Sequence, residues 1–160
     1  MPNHLLPVVM QTQNQDNWCW AAVTSTVADF YQPSHSWSQC RLANWAFGTT
    51  SCCQNGSSMA CDQKFYLDRS LAHVGHLDRV TNGPLAWGLT DNELSSNEPV
   101  AMRCQLAGGA SHYLLIVGSG TSHDQVLTVE DPQGLKLTGP HSVVANNIYG
   151  QWAETFRTKA

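Results

Sequence analysis

The hydrophobic periodicity of the chain changes near Pro99. This change limits the folds that the chain can adopt more than any other feature of its sequence. Before Pro99, apolar residues recur at helical spacing in several short stretches. From Val100 to Leu106 they instead alternate with other side chains, which is typical of a strand with one apolar face. Helices followed by antiparallel strands predict an α+β fold.

Four helices are expected in the first part. The first begins at Cys19, with Asp16 and Asn17 as candidate N-caps, and Pro33 ends it soon after Tyr31. The others are expected from Ser38 to Gly48, from Asp62 to Gly75, and from the capping-box pattern Thr90–Glu93 to a limit at Pro99. Strands are expected at Val100–Leu106, from His112, from Gln125, at Leu135–Leu137 and at Gln151–Arg157.

Cys19 is the candidate nucleophile. A thiol in the first turn of a helix feels the positive end of the helix dipole, which favours thiolate over thiol. Gln13 stands six residues earlier, and its side-chain amide could fold back to donate to an oxyanion together with the Cys19 backbone N–H. A buried, purely structural cysteine on an apolar helix is the alternative interpretation.

A cysteine nucleophile needs a histidine base and a third group that orients the histidine. His112 opens a strongly apolar strand, and Asp131 ends the next strand along the chain. If the two strands are antiparallel neighbours, both side chains lie at the same edge of the sheet. Asp131 also has an alternative interpretation as a turn residue, because Asp-Pro-x-Gly is a turn sequence.

These motifs together resemble a papain-like cysteine protease of the bacterial effector type, a group that includes the avirulence-type proteases. The resemblance rests on Gln13, the stretch from Asn17 to Ala22, Cys40–Asn44, Cys52–Cys53, His112, Asp131 to Gly134, and Tyr149–Trp152. It extends over nearly the whole chain. The chain departs from papain itself in two places, since Asn-Trp precedes the cysteine and the third catalytic position is Asp.

The resemblance implies that Cys19 is the nucleophile, His112 the base, Asp131 the orienting residue and Gln13 the oxyanion donor. It implies one papain-like domain over residues 1–160, with a helical half (about 15–98) packed against a sheet half (about 99–158) and a cleft between them. Trp18 and Trp20 flank the nucleophile and are candidates for lining the substrate groove.

The resemblance also implies a setting. Such domains are effectors or toxins that are secreted or delivered into a target cell by a specialised secretion system. Their partners are protein or peptide substrates, with an immunity or inhibitor protein or a host activator as a further partner. The chemistry calls for no cofactor and no metal.

Four cysteines, Cys40, Cys52, Cys53 and Cys61, lie close together in the sequence. We expect two disulfides, either Cys40–Cys52 with Cys53–Cys61 or Cys40–Cys53 with Cys52–Cys61, because adjacent cysteines pair only with strain. A zinc site is the alternative, although no Cys-x2-Cys pair is present. A fully reduced cluster is the third option. Cys104 is expected to be a core thiol.

Composition argues against two classes of partner. The net charge is −4, and the eight Lys and Arg residues are scattered, so no basic surface for nucleic acid or an anionic membrane is expected. No apolar run approaches the length of a membrane span, and the N-terminus lacks the pattern of a signal peptide.

The predicted function is that of a cysteine endopeptidase with a Cys-His-Asp triad. Two alternatives remain. The same triad can deamidate glutamine or transfer its acyl group to an amine, because the first acyl-enzyme step is shared. A non-catalytic peptide-binding module would keep the groove but leave Cys19 unreactive.

Overall fold

The computed structural model describes residues 3–147 and 150–160. Tyr149, which contributes to the resemblance, lies outside the described residues. The helices are α1 (Cys19–Tyr31), α2 (Gln39–Phe47), α3 (Leu67–His73), α4 (Trp87–Ser95) and α5 (His141–Ala145). The strands are β1 (His4–Leu5), β2 (Leu77–Asn82), β3 (Val100–Gln105), β4 (Ser111–Gly120), β5 (Val126–Glu130), β6 (Lys136–Pro140), β7 (Asn146–Asn147) and β8 (Gly150–Thr158).

The first two helices have the predicted extents. Helix α1 runs from Cys19 to Tyr31. Helix α2 is preceded by Ser38, whose hydroxyl accepts a hydrogen bond from the Arg41 backbone N–H, and it is followed by Gly48 in the left-handed conformation, with φ of 65°. Hydroxyl N-caps and left-handed glycine C-caps satisfy the unpaired backbone groups at helix ends, which explains why the sequence signals were reliable here.

The predicted N-caps of α1, α3 and α4 are wrong. Trp18, and not Asp16 or Asn17, occupies the N-cap position of α1, without a side-chain cap bond. Helix α3 begins only at Leu67, and the Asp62 carboxylate accepts a hydrogen bond from the Asn17 backbone N–H instead of capping a helix. Helix α4 begins before the predicted capping box, and Thr90 lies inside it.

Within the described part of the chain the sheet has eight strands, and its main path runs in the order β2-β8-β3-β4-β5-β6. All the pairings are antiparallel, and strand β4 lies between β3 and β5. Strands β1 and β2 come from the region in which only helices were predicted. Strand β2 was missed because most of its residues are exposed, so its sequence does not alternate between apolar and polar residues.

Both faces of the sheet are covered. Tyr113, Leu115 and Val117 of β4 belong to one apolar cluster, together with residues of α1, α2 and α3. The intervening residues Leu114 and Ile116 belong to a second cluster that includes residues of α4 and α5. Because side chains alternate along a strand, α4 lies on the face opposite α1, although the sequence placed all four predicted helices in one half.

None of the helices among the described residues combines the length and the apolar character that a membrane span requires.

One disulfide links α2 to the loop that follows it, and a second lies within that loop. Cys40 is bonded to Cys53, and Cys52 is bonded to Cys61, which is one of the two pairings that the sequence left open. All four sulfur atoms of the cluster are thereby in disulfides. Cys104 is buried and takes part in neither of these disulfides.

Candidate active site

Cys19 is the first residue of α1 and lies at the bottom of a cleft. Its side chain is largely buried, with 8% of its surface exposed. The first hydrogen bond of the helix joins the Ala22 N–H to the Trp18 carbonyl, so the Cys19 N–H precedes the helical ladder. Cys19 borders two neighbouring cavities of about 250 and 190 Å³, and a bound molecule in either cavity would lie beside the thiol.

The sheet brings His112 and Asp131 together. Leu115 of β4 pairs with Glu130 of β5, so the beginning of one strand lies beside the end of the other, as the sequence predicted. His112 Nε2 and Asp131 Oδ1 are 2.7 Å apart, and both side chains are buried. This contact leaves the other ring nitrogen, Nδ1, for the hydrogen bond that His112 makes with Cys19.

The neighbours of His112 favour its protonated form. Burial by itself lowers the pKa of the ring, because a charged imidazolium is poorly solvated inside the protein. Hydrogen bonds to Asp131 and Cys19, together with the negative charges of both partners, outweigh burial and raise the pKa of His112 to about 9. The environment therefore suits an imidazolium at neutral pH.

Asp131 is fixed by a tight turn after β5. Its Oδ1 accepts a second hydrogen bond, of 2.8 Å, from the backbone N–H of Gln133, while its own carbonyl accepts from Gly134 N–H. Gly134 has a φ of 97°, which favours glycine at this position. The two interpretations of Asp131 from the sequence are thus compatible, because the turn holds the carboxylate against the imidazole.

Gln13 lies next to this centre. The Gln13 backbone N–H donates to the Pro132 carbonyl, which ties the segment before α1 to the turn after β5. Its side-chain amide donates to the carbonyl of Gln15 at 3.0 Å and to that of Asp16 at 2.8 Å. Both amide hydrogens are therefore engaged in this structure, and Gln13 borders a polar cavity adjoining the one that contains Cys19 and His112.

The cavity of about 250 Å³ has an aromatic wall. Trp20 and Tyr113 form its buried part, while Phe65 and Tyr66 come from the segment before α3. Burial raises the pKa of Tyr113 to about 12, so its hydroxyl stays neutral. Lys64 and Ser111 complete the rim of both cavities beside Cys19.

The two tryptophans that flank Cys19 have different surroundings. Trp20 borders the cavity, whereas Trp18 is buried in the core. The Trp18 indole N–H donates to the Cys61 carbonyl at 2.8 Å, and the Trp20 indole N–H donates to the Gln63 carbonyl at 3.1 Å.

Of the residues that line the cavity beside Cys19, the sequence pointed only to Trp20 and to Cys19 itself. Ser111 and Tyr113 flank His112, and this adjacency was a usable signal. Phe65 and Tyr66 carried no such signal, because they were expected to be part of a helix that in fact begins at Leu67.

An α+β fold that places a cysteine at a helix N-terminus against a histidine on an antiparallel sheet defines the class of papain-like cysteine peptidases. The chain belongs to the family described as papain-like cysteine protease AvrRpt2, which matches residues 3–142. It is therefore a papain-like cysteine peptidase.

Among solved structures, the chain is similar to the Pseudomonas avirulence protein AvrPphB. The sequence identity is 10%, the TM-score is 0.40, and the similarity covers 91% of this chain and 92% of that chain. No curated protein sequence matches the chain significantly.

Proposed function

We propose that the protein is an endopeptidase that cleaves peptide bonds with Cys19 as nucleophile, His112 as general base and acid, and Asp131 as the residue that orients His112. One observation carries this proposal: the buried hydrogen-bonded series from Cys19 through His112 to Asp131, whose residues come from α1, β4 and the turn after β5. Membership of a cysteine protease family supports the same assignment.

The first half of the reaction forms an acyl-enzyme. The Cys19 thiolate attacks the carbonyl carbon of the peptide bond, which gives a tetrahedral intermediate with a negative oxygen. His112, as imidazolium, transfers its Nδ1 proton to the leaving amine nitrogen. The C–N bond then breaks, and a thioester joins the acyl part of the substrate to Cys19.

Water completes the reaction. Neutral His112 accepts a proton from a water molecule, whose oxygen attacks the thioester carbonyl. Collapse of the second tetrahedral intermediate releases the carboxylic acid product and returns the thiolate and the imidazolium. Throughout, Asp131 accepts the Nε2–H of His112, which fixes the ring and stabilises its positive charge.

Gln13 and the Cys19 N–H are the proposed oxyanion donors. The helix start supports the second, because its N–H precedes the helical hydrogen bonds. Gln13 must release one of its bonds to the Gln15 and Asp16 carbonyls before it can donate to the oxyanion. That exchange costs about 1 kcal/mol, so Gln13 should contribute less than an oxyanion donor that is free in the resting enzyme.

The aromatic wall indicates how a substrate is held. A cavity lined by Trp20, Phe65, Tyr66 and Tyr113 suits an apolar side chain of an extended peptide.

We further propose that residues 1–160 act as one domain, and that the protein is secreted or delivered into a target cell. Its family and its disulfides support delivery, and an immunity protein, inhibitor or host activator fits the same setting.

The test is incubation of the purified protein with a peptide library prepared from a proteome, followed by mass spectrometry. We expect new peptide termini with the wild type and none with Cys19→Ala or His112→Ala, while His123→Ala, which removes an exposed histidine, retains cleavage. A mass gain of about 1 Da at glutamine, or ligation to an amine, would instead assign a deamidase or transamidase. A wild type that neither cleaves peptides nor reacts with iodoacetamide at Cys19 would contradict the proposal and favour a binding module.

A further inference from the structure

The residues around Cys19 are hydrogen-bonded to one short segment, residues 61–63. The Asn17 backbone N–H donates to Asp62 Oδ1 at 2.9 Å, and the Asn17 side-chain amide donates to the Asp62 carbonyl at 3.1 Å. The indoles of Trp18 and Trp20 donate to the carbonyls of Cys61 and Gln63. Four hydrogen bonds therefore join residues 17–20, which include Cys19, to residues that are more than 40 positions away in sequence.

Asp62 is the only member of residues 61–63 whose side chain takes part in these four bonds. Its carboxylate accepts from a backbone N–H two residues before Cys19, at the point where the chain turns into α1. A carboxylate that accepts a backbone N–H forms a charge-assisted hydrogen bond, which is stronger than a neutral one. The sequence interpretation of Asp62 as a helix cap leaves this contact unexplained, since α3 begins five residues later.

The backbone at Asp62 is itself held in place by the turn that precedes it. The backbone N–H groups of Cys61 and Asp62 both donate to the Ser58 carbonyl, at 3.0 and 2.8 Å. The Cys52–Cys61 disulfide then anchors this turn to the preceding loop. A carboxylate presented by a cross-linked turn has little freedom, so it can hold Asn17 in one position.

The same backbone also positions Gln13. Its side-chain amide rests on the carbonyls of Gln15 and Asp16, which immediately precede Asn17. A shift of the backbone at Asn17 would therefore move Gln13 and the Cys19 N–H relative to the thiol. His112 and Asp131 would move less, because strand pairing and the turn after β5 hold them, and the segment before α1 is tied to that turn by the bond from the Gln13 N–H to the Pro132 carbonyl.

We propose that Asp62 is a positioning residue for the peptidase reaction, which sets the oxyanion donors against Cys19 by fixing the backbone N–H of Asn17. This inference rests on the proposed function, since it takes Cys19 as the nucleophile. It predicts that a change at Asp62 impairs peptide cleavage but not the alkylation of Cys19. Peptide cleavage requires the oxyanion donors, whereas alkylation of Cys19 by iodoacetamide requires only the thiol and His112.

The experiment compares the wild type with Asp62→Ala and Asp62→Asn on the best-cleaved peptide of the library described above. We expect Asp62→Ala to lower kcat by about 10- to 100-fold, with KM changed less than threefold, because misplacement of catalytic groups acts on the transition state. Asp62→Asn keeps an oxygen that can accept the Asn17 N–H, and it should restore most of the lost kcat. The rate of Cys19 alkylation should stay within about twofold in both variants, since the His112 and Asp131 contacts are retained.

Asp68→Ala is the matched control, because it removes one negative charge from the first turn of α3 without touching Asn17. Rates are expressed per mole of folded protein, measured by tryptophan fluorescence, so that partial unfolding does not count as lost catalysis. If kcat of Asp62→Ala equals that of the wild type, or if Asp62→Asn is as impaired as Asp62→Ala, the positioning role is refuted. A wild type without activity or Cys19 alkylation would instead refute the proposed function.

Discussion

Replacement of Asp131 by asparagine tests the electrostatics of the proposed catalytic site. The substitution keeps an oxygen for the Gln133 N–H but removes the negative charge beside His112. The pKa of His112 is raised from 6.5 to about 9, and the hydrogen bond to Asp131 is the largest of the contributions that raise it. We therefore expect Asp131→Asn to lower the pKa of His112 by about one unit or more.

The same shift has a consequence for folding. Because the folded-state pKa of His112 lies above its unfolded value, protonated His112 stabilises the native state fully below pH 6.5, and this contribution is lost as the pH rises through about 9. A difference of 2.5 units corresponds to about 3 kcal/mol, as an order of magnitude for a buried group. The stability difference between the wild type and Asp131→Asn should therefore be larger at pH 6 than at pH 10.

Two measurements check this prediction. An NMR titration follows the His112 ring, assigned by comparison with His112→Gln, and urea unfolding at pH 6 and pH 10 gives the stability difference. Cys19→Ala is the companion variant, since it removes the other group that raises the pKa. A His112 that titrates near 6.5 in the wild type, or that is unaffected by Asp131→Asn, would refute the electrostatic reasoning.

Three further predictions concern stability and rate. Replacing Cys52 and Cys61 together by serine opens a short loop and should lower the free energy of unfolding, measured in urea, by about 3 kcal/mol. A loss of less than about 0.5 kcal/mol would contradict a stabilising cross-link. Gly118→Ala should cost about 1 to 3 kcal/mol, because the new Cβ would lie 3.0 Å from the Thr128 Cβ, whereas Gly139→Ala has no neighbour within 4 Å and serves as control. Gln13→Ala should lower kcat by about 10- to 100-fold, and an unchanged kcat would exclude it as an oxyanion donor.

The sequence predicted the parts of the fold that depend on local signals. Helices α1 and α2 and strands β3, β4 and β5 have strong hydrophobic periodicity, and their positions are confirmed. The pairing of β4 with β5 was also predictable, because two apolar strands separated by a short connection usually form an antiparallel pair. The contact between His112 and Asp131 follows from that pairing.

The rest depends on contacts that no local pattern encodes. Asp62 is of a residue type that often caps helices. Its carboxylate instead accepts a hydrogen bond from a backbone N–H that is 45 residues away in sequence. Strand β2 is mostly exposed and is held in the sheet by its pairing with β8. The choice between the two disulfide pairings was likewise undetermined until the backbone positions of the four cysteines were known.

The position of β8 within the sheet affects when the enzyme can become active during its synthesis. Strand β8 lies between β2 and β3, and Phe156 pairs with Val80 on one side and with Ala101 on the other. A nascent chain that has not yet reached residue 150 therefore has two strands with open edges and an incomplete core. Such long-range pairing forms late in folding, so we expect partly synthesised chains to carry Cys19, His112 and Asp131 without proteolytic activity. We therefore expect proteolysis to begin only after β8 has been synthesised and has inserted between β2 and β3.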